Sequence, residues 1–184
     1  KTLFDGRRLA VLANVGVLCR PIACGRFMGG RECAAITGGG GSPDLDAIER
    51  VVVLGGDGAT LLLRTGRTIS ETRGAICGDV ATRDRTALAT LYCALVSDLM
   101  LTRMGATGGD IIVEGSFAGN LPFCQTLGAL RPAQRVFAAE DAAGTARGAA
   151  MLAHWPPSYH VAEPAPVPAI SIAGLDSYRK AWTA

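Results

Sequence analysis

The chain has 184 residues, of which 49% are hydrophobic and 18% charged, enough apolar material to build the core of one globular domain and too much for a disordered chain. Eighteen Lys and Arg against sixteen Asp and Glu leave a net charge of +2, which gives no electrostatic case for a nucleic-acid or anionic-membrane partner. The longest apolar runs, Val51–Leu54 and Leu91–Val96, are far shorter than the roughly 20 residues of a membrane span, and no secretory h-region follows Lys1. A cytoplasmic protein is expected.

In chain order, Arg8–Val15 reads as a buried strand and is followed by an irregular stretch containing Pro21. Phe27–Ile36 opens on Gly29–Gly30 and continues with a short helical pattern. Gly38–Pro43 is a flexible connection, after which Asp44 is placed to cap a helix running to Leu54 and broken by Gly55–Gly58. Gly74–Cys77 is a short apolar run bounded by glycines. Asp84 is placed to cap a long helix to Arg103, with Leu88, Leu91, Tyr92, Leu95 and Leu99 at helical spacing. Asp110–Glu114 predicts a strand, Gly115–Asn120 a turn, Leu121–Leu130 a helix, Arg135–Ala138 a strand and Gly144–His154 an Ala-rich helix. From Pro156 onward the prolines predict an extended tail, with a last short helix at Asp176–Trp182. The expected organisation is an α/β domain over residues 1–155 and a Pro-rich tail over 156–184.

Six cysteines, Cys19, Cys24, Cys33, Cys77, Cys93 and Cys124, have neither the paired spacing nor the nearby histidines of a zinc site. They are expected to be reduced structural thiols, and no metal site is predicted.

Three segments have the make-up of ligand-binding turns. Gly115–Ser116–Phe117–Ala118–Gly119–Asn120 joins a strand to a helix, so small residues admit a ligand to the backbone where unpaired N–H groups gather. Asn120 adds a donor and an acceptor suited to an adenine edge or a ribose. Glu140–Ala150 begins a helix with small residues that a flat ring can approach, and Arg73–Gly78 has glycines on both sides of a short strand, a backbone that can hold phosphate oxygens. An ordinary capped turn accounts for each of the three when it is read alone.

Taken in order, Arg73–Gly78, the helix Arg85–Met104, Asp110–Asn120 and Glu140–Ala153 resemble the C-terminal half of the FGGY family of carbohydrate kinases. Leu12–Val15 and Arg26–Glu32 resemble the segments that follow the phosphate turn in fuculokinase- and xylulokinase-like members, whereas residues 37–72 match poorly. The resemblance implies the actin-like ATPase, or ribonuclease H-like, fold: a mixed sheet with helices on both faces. It also implies ATP with Mg²⁺ as cofactors and phosphorylation of a sugar hydroxyl as the activity. By position, Gly115, Ser116 and Asn120 would line the nucleotide, Gly74 would lie near its phosphates, and Gly144 and Thr145 would flank the adenine.

The family's catalytic Asp and its Gly-Thr phosphate turn would precede Lys1, together with an N-terminal domain that holds most of the sugar site. The chain as given is then catalytically incomplete, and a homodimer is left open. Two other readings stay open: a non-catalytic nucleotide-binding or assembly module derived from such a kinase, and an enzyme like the NAD and diacylglycerol kinases. The latter rests on Gly55–Gly56–Asp57–Gly58–Ala59–Thr60, which resembles their Gly-Gly-Asp-Gly-Thr turn with Ala59 inserted.

Overall fold

The computed structural model describes residues 10–16, 18–27, 29–38, 43–56, 76, 84–139, 144–153 and 163–183. Strands β1 (Ala10–Val15) and β2 (Pro21–Arg26) form an antiparallel hairpin in which Val15 faces Pro21 and Ala10 faces Arg26. The stretch around Pro21, expected to be irregular, is therefore a strand. Proline is tolerated because it occupies the first position of β2, where the ladder ends. The expected burial of β1 is also corrected, since Leu12 and Val15 are 53% and 71% exposed. Its apolar composition marks a strand correctly, but the described residues do not cover these side chains.

Helix α1 (Gly29–Thr37) follows, then α2 (Leu45–Gly56). As expected, Asp44 caps α2: its Oδ1 accepts the Ala47 N–H at 2.6 Å, satisfying one of the helix's orphan donors. Helix α3 (Arg85–Arg103) is the centre of the molecule, with every residue from Ala87 to Val96 buried. A helix that is apolar on all sides needs neighbours on all sides, and α1, α2 and α4 pack against it. Asp84 precedes α3 but does not cap it with its side chain. Its backbone is already helical (φ −95°, ψ −1°), and its carboxylate meets Arg50 of α2 at 3.4 Å instead. At the other end Gly105 has φ +74°, and the Ala106 N–H reaches back to the Leu101 carbonyl at 2.9 Å, closing the helix in a Schellman turn.

Strand β3 (Ile111–Val113), helix α4 (Leu121–Leu130), strand β4 (Val136–Ala138) and helix α5 (Gly144–Leu152) complete the alternating part of the chain. Strands β3 and β4 are parallel, with Val113 opposite Ala138. The proline-rich segment does more than trail away. Residues Ala165–Pro166 form β5, which pairs antiparallel with β4, so the three-stranded sheet is mixed and has the order β3-β4-β5. Helix α6 (Leu175–Thr183) then inserts Leu175 and Tyr178 into the core, and Ile172 just before it is buried as well. Prolines suit such a segment because an edge strand needs few ladder donors.

One ionic contact ties this closing helix to the centre. Asp98 of α3, itself 3% exposed, pairs with Arg131 at 2.9 Å and with Arg179 of α6 at 2.8 Å. Arg131 also donates to the carbonyl of Ala106 and, at 3.3 Å, to that of Asp98. Helix α3, the end of α4 and helix α6 are thereby joined through one buried carboxylate.

Candidate functional site

Parallel β3 and β4 end side by side; a turn leads from β3 toward α4, and α5 is the next described helix after β4. The Ala139 N–H still bonds the Val113 carbonyl at 2.9 Å, which keeps the two exits in register. After β3 the chain passes through Glu114, extended at φ −123° and ψ 166°, into Gly115 at φ +72°. Glycine takes that conformation without the steric penalty of a Cβ. A single 3₁₀ turn, Gly115–Phe117, follows, closed by the Ala118 N–H on the Gly115 carbonyl at 3.0 Å.

Among the described residues Gly115 faces open space: none of their heavy atoms lies within 4 Å of where a Cβ would stand, neighbouring residues apart. This position admits the close approach of a flat ligand to the backbone. Ser116 beside it is exposed. Behind the turn the packing is dense. The Phe117 and Phe123 rings lie 4.6 Å apart, and Phe117 also borders Gly29 at the start of α1. Cys124 donates to the Phe117 carbonyl at 3.5 Å, and burial pushes its thiol up to about 11.

Asn120 caps α4. Its Oδ1 accepts the Phe123 N–H at 3.1 Å while its Nδ2 donates to Thr90 Oγ1 of α3 at 3.4 Å. The amide that composition alone offers to an adenine edge is thus engaged in shaping the turn and tying it to the central helix.

Helix α5 begins with Gly144, partly buried, and Thr145, exposed. The Glu114 carboxylate lies against Gly144, with both oxygens 2.5 Å from the place a Cβ would occupy. This contact brings Gly115, Ser116, Gly144 and Thr145 to one edge of the sheet. A carboxylate at a helix start is favourable, because the first N–H groups have no intrahelical acceptor and the dipole is positive there. It also makes that corner a poor place for phosphate and a good one for hydroxyl donors. Sequence reasoning treated Glu114 only as the end of a strand. The available signal was an acid immediately preceding a glycine at a strand-to-helix exit.

Gly74 and the rest of Arg73–Gly78 lie outside the described residues, apart from Ile76, which is partly buried against the core. The Gly55–Thr60 segment is described only through its first two glycines, which are the last residues of α2. The Tyr178 ring occupies the space where a Gly55 Cβ would stand, so packing accounts for that glycine. Among the described residues no three His, Cys, Asp or Glu side chains gather as metal ligands, and none of the helices is long and apolar enough to cross a membrane.

Residues 6–162 match the family model described as carbohydrate kinase FGGY, C-terminal domain. The structure is similar to that of a carbohydrate kinase from Novosphingobium aromaticivorans, with a TM-score of 0.72 and 32% sequence identity. That similarity covers 99% of this chain and 41% of the other, so the chain spans well under half the length of that kinase. No curated protein sequence matches it.

Proposed function

Because the chain belongs to the FGGY carbohydrate kinases, with the actin-like ATPase fold of their C-terminal domain, we propose that it is the nucleotide-binding half of an enzyme that phosphorylates a sugar hydroxyl. The observation that carries this reading is the pairing of two glycine-led helix starts, Gly115–Ser116 and Gly144–Thr145, at the carboxyl ends of adjacent parallel strands. Ligands of open α/β sheets collect at such edges, where helix starts converge and side chains are short.

In this proposal the backbone at Gly115 and Ser116 lines the nucleotide, and Gly144 and Thr145 flank the adenine. Glu114 accepts hydrogen bonds from ribose hydroxyls, and Asn120 holds the turn in shape through Phe123 and Thr90. Gly74 is assigned to the phosphate side from its position in the family pattern. The open face at Gly115 fits a planar base. Bound ATP supplies the phosphoryl group, and Mg²⁺ carried on its phosphates offsets their charge. The general base is an Asp outside this chain, as are most of the groups that choose the sugar. Transfer depends on positioning from both sides of a cleft, so this half alone binds without catalysing efficiently. A cytoplasmic location is part of the same proposal.

The test is an ATP-consumption assay with a panel of sugars, run on the 184-residue chain and on its complete reading frame. The fragment is expected to be inactive and the complete protein active with one sugar class. ATP binding by the complete protein without turnover on any sugar favours a non-catalytic module instead, and efficient turnover by the fragment overturns the division of labour proposed here.

A further inference from the structure

We propose that the outward face of the β1–β2 hairpin seats the amino-terminal half of the kinase, an inference that rests on this chain being one half of such an enzyme.

The ladder sorts the hairpin into two faces. Leu12 stands opposite Cys24 and Asn14 opposite Ile22, and the period of two puts all four on one side. Gly25, opposite Val11, belongs to the other side, where a Cβ would run into Met100 of α3. One face is thus turned to the central helix and the other away from it. On the outward face Leu12 and Ile22 are each more than half exposed, as is Leu18 at the tip, and Cys24 is open to solvent.

Such a hairpin is poorly suited to water. A lone two-stranded ribbon is marginally stable, and β1, Ala10–Val15, carries neither a charge nor a proline to protect a free edge. Apolar side chains gathered on an exposed face mark a contact surface.

The occupant follows from what this chain is part of. The matching family model is that of a C-terminal domain, and the similar kinase has more than half of its length outside the region this chain covers. The hairpin is the first described element of the chain, so a domain preceding it in the same polypeptide is tethered close by and held at high effective concentration. Charge argues against a second copy. From Gly6 to Arg31 the sequence contains no acid, and Arg20 and Arg26 are exposed on the hairpin. Two copies meeting face to face would bring like charges together. The surface that fits is apolar at its centre with carboxylates at its rim.

Cys24 is a built-in reporter, since it lies on the outward face. The 184-residue chain and the protein from the complete reading frame are each reacted with N-ethylmaleimide over time, without nucleotide or sugar. Trypsin does not cut before Pro21, so Cys19 and Cys24 share the peptide 9–26, and fragment ions tell them apart. Cys93 and Cys124, buried in the described core, serve as slow references. Cys24 is expected to react roughly ten-fold or more slowly in the complete protein, as a residue from which an interface excludes water. Ile22→Gln is expected to raise that rate several-fold in the complete protein and to leave it unchanged in the 184-residue chain, where this side chain is exposed. Equal rates in the two proteins overturn the proposal, as does a complete reading frame that adds no amino-terminal half. Protection in the 184-residue chain that deepens with its concentration also overturns it, in favour of a second copy. The outcome is separable from the kinase reading: protection without sugar turnover leaves this surface standing, and turnover with Cys24 open removes it alone.

Discussion

The centre of this molecule and the edge of its sheet use the same residue type for opposite purposes. Around α3 the glycines are crowded: a Cβ on Gly25 would run into Met100, and one on Gly55 into the Tyr178 ring. At the carboxyl edge of β3, Gly115 has φ +72° and, among the described residues, nothing beside it. Crowded glycines exist for packing, whereas an uncrowded glycine held in the left-handed region exists for backbone shape and for whatever approaches it. Polar groups divide in the same way. Asp98 is enclosed by two guanidiniums in the core, while Ser116 and Thr145 at the edge are open to solvent. The core and the edge are therefore expected to respond to mutation separately, one in stability and the other in binding.

The largest expected effect breaks the core side of this contrast. Asp98→Ala leaves Arg131, whose side chain is 8% exposed, without its carboxylate, and removes the anchor of Arg179. A loss of about 3–5 kcal/mol in urea unfolding is expected, as for a buried pair deprived of one partner. A loss below 1 kcal/mol would show that the network is not the clasp between α3 and α6.

Gly55→Ala comes next. Its methyl must displace the Tyr178 ring, which is 2% exposed, and α6 with it, at an expected cost of about 1–3 kcal/mol. Nucleotide affinity measured well below the melting transition is expected to stay unchanged. A parallel loss of binding would revive the Gly55–Thr60 turn as a phosphate site and erase the division between core and edge.

Asn120→Ala probes the boundary between the two regions, since this residue caps α4 and also reaches Thr90. The cap is worth about 1 kcal/mol, so thermal unfolding is expected to shift down by several degrees. Weaker nucleotide binding is expected as a consequence of the loosened turn. Binding lost with full stability retained would instead put the amide on the ligand.

The smallest effect is a pH dependence. Burial raises the thiol of Cys124 from 9.0 to about 11, so the folded state holds this proton more tightly than the unfolded chain does. Its contribution to stability is fully present below pH 9 and is lost as pH rises through 11. The buried hydroxyl of Tyr178, also raised by desolvation, extends the decline further into alkali. Unfolding followed from pH 8 to 11 is expected to show a decline that Cys124→Ala makes shallower by about 1 kcal/mol. An unchanged slope would mean that solvent reaches this thiol behind the turn.

What could be read from the sequence follows the range of the forces involved. Helices α2, α3 and α4 and strands β3 and β4 are legible because period, caps and glycine punctuation are local signals. Asp44 capping α2 is such a signal, as is the Leu88–Leu99 spacing on α3. The family pattern made Gly115, Ser116, Gly144 and Thr145 candidates together, and the parallel pairing of β3 with β4 places them at one edge. Strands β2 and β5 were missed because Pro21 and Pro166 carry a turn-like signal that only their ladder positions excuse. The exposure of β1 depends on what covers it, which no local pattern encodes. The contacts of Glu114 with Gly144, Asp98 with Arg131 and Glu32 with Tyr92 join residues about 30 to 60 positions apart, and only the folded chain brings them together.

The central claim, that the edge at Gly115 is where a nucleotide binds, is most directly tested by titrating ATP into the native-sequence chain and Gly115→Val by calorimetry. The valine strains a left-handed position at a cost of about 1–2 kcal/mol, and its side chain fills the open face. Melting curves are run alongside to establish that both proteins are folded. The account predicts weak, saturable binding by the native chain and none by the folded variant. Equal binding by both would place the nucleotide elsewhere and remove the functional meaning of the open glycine.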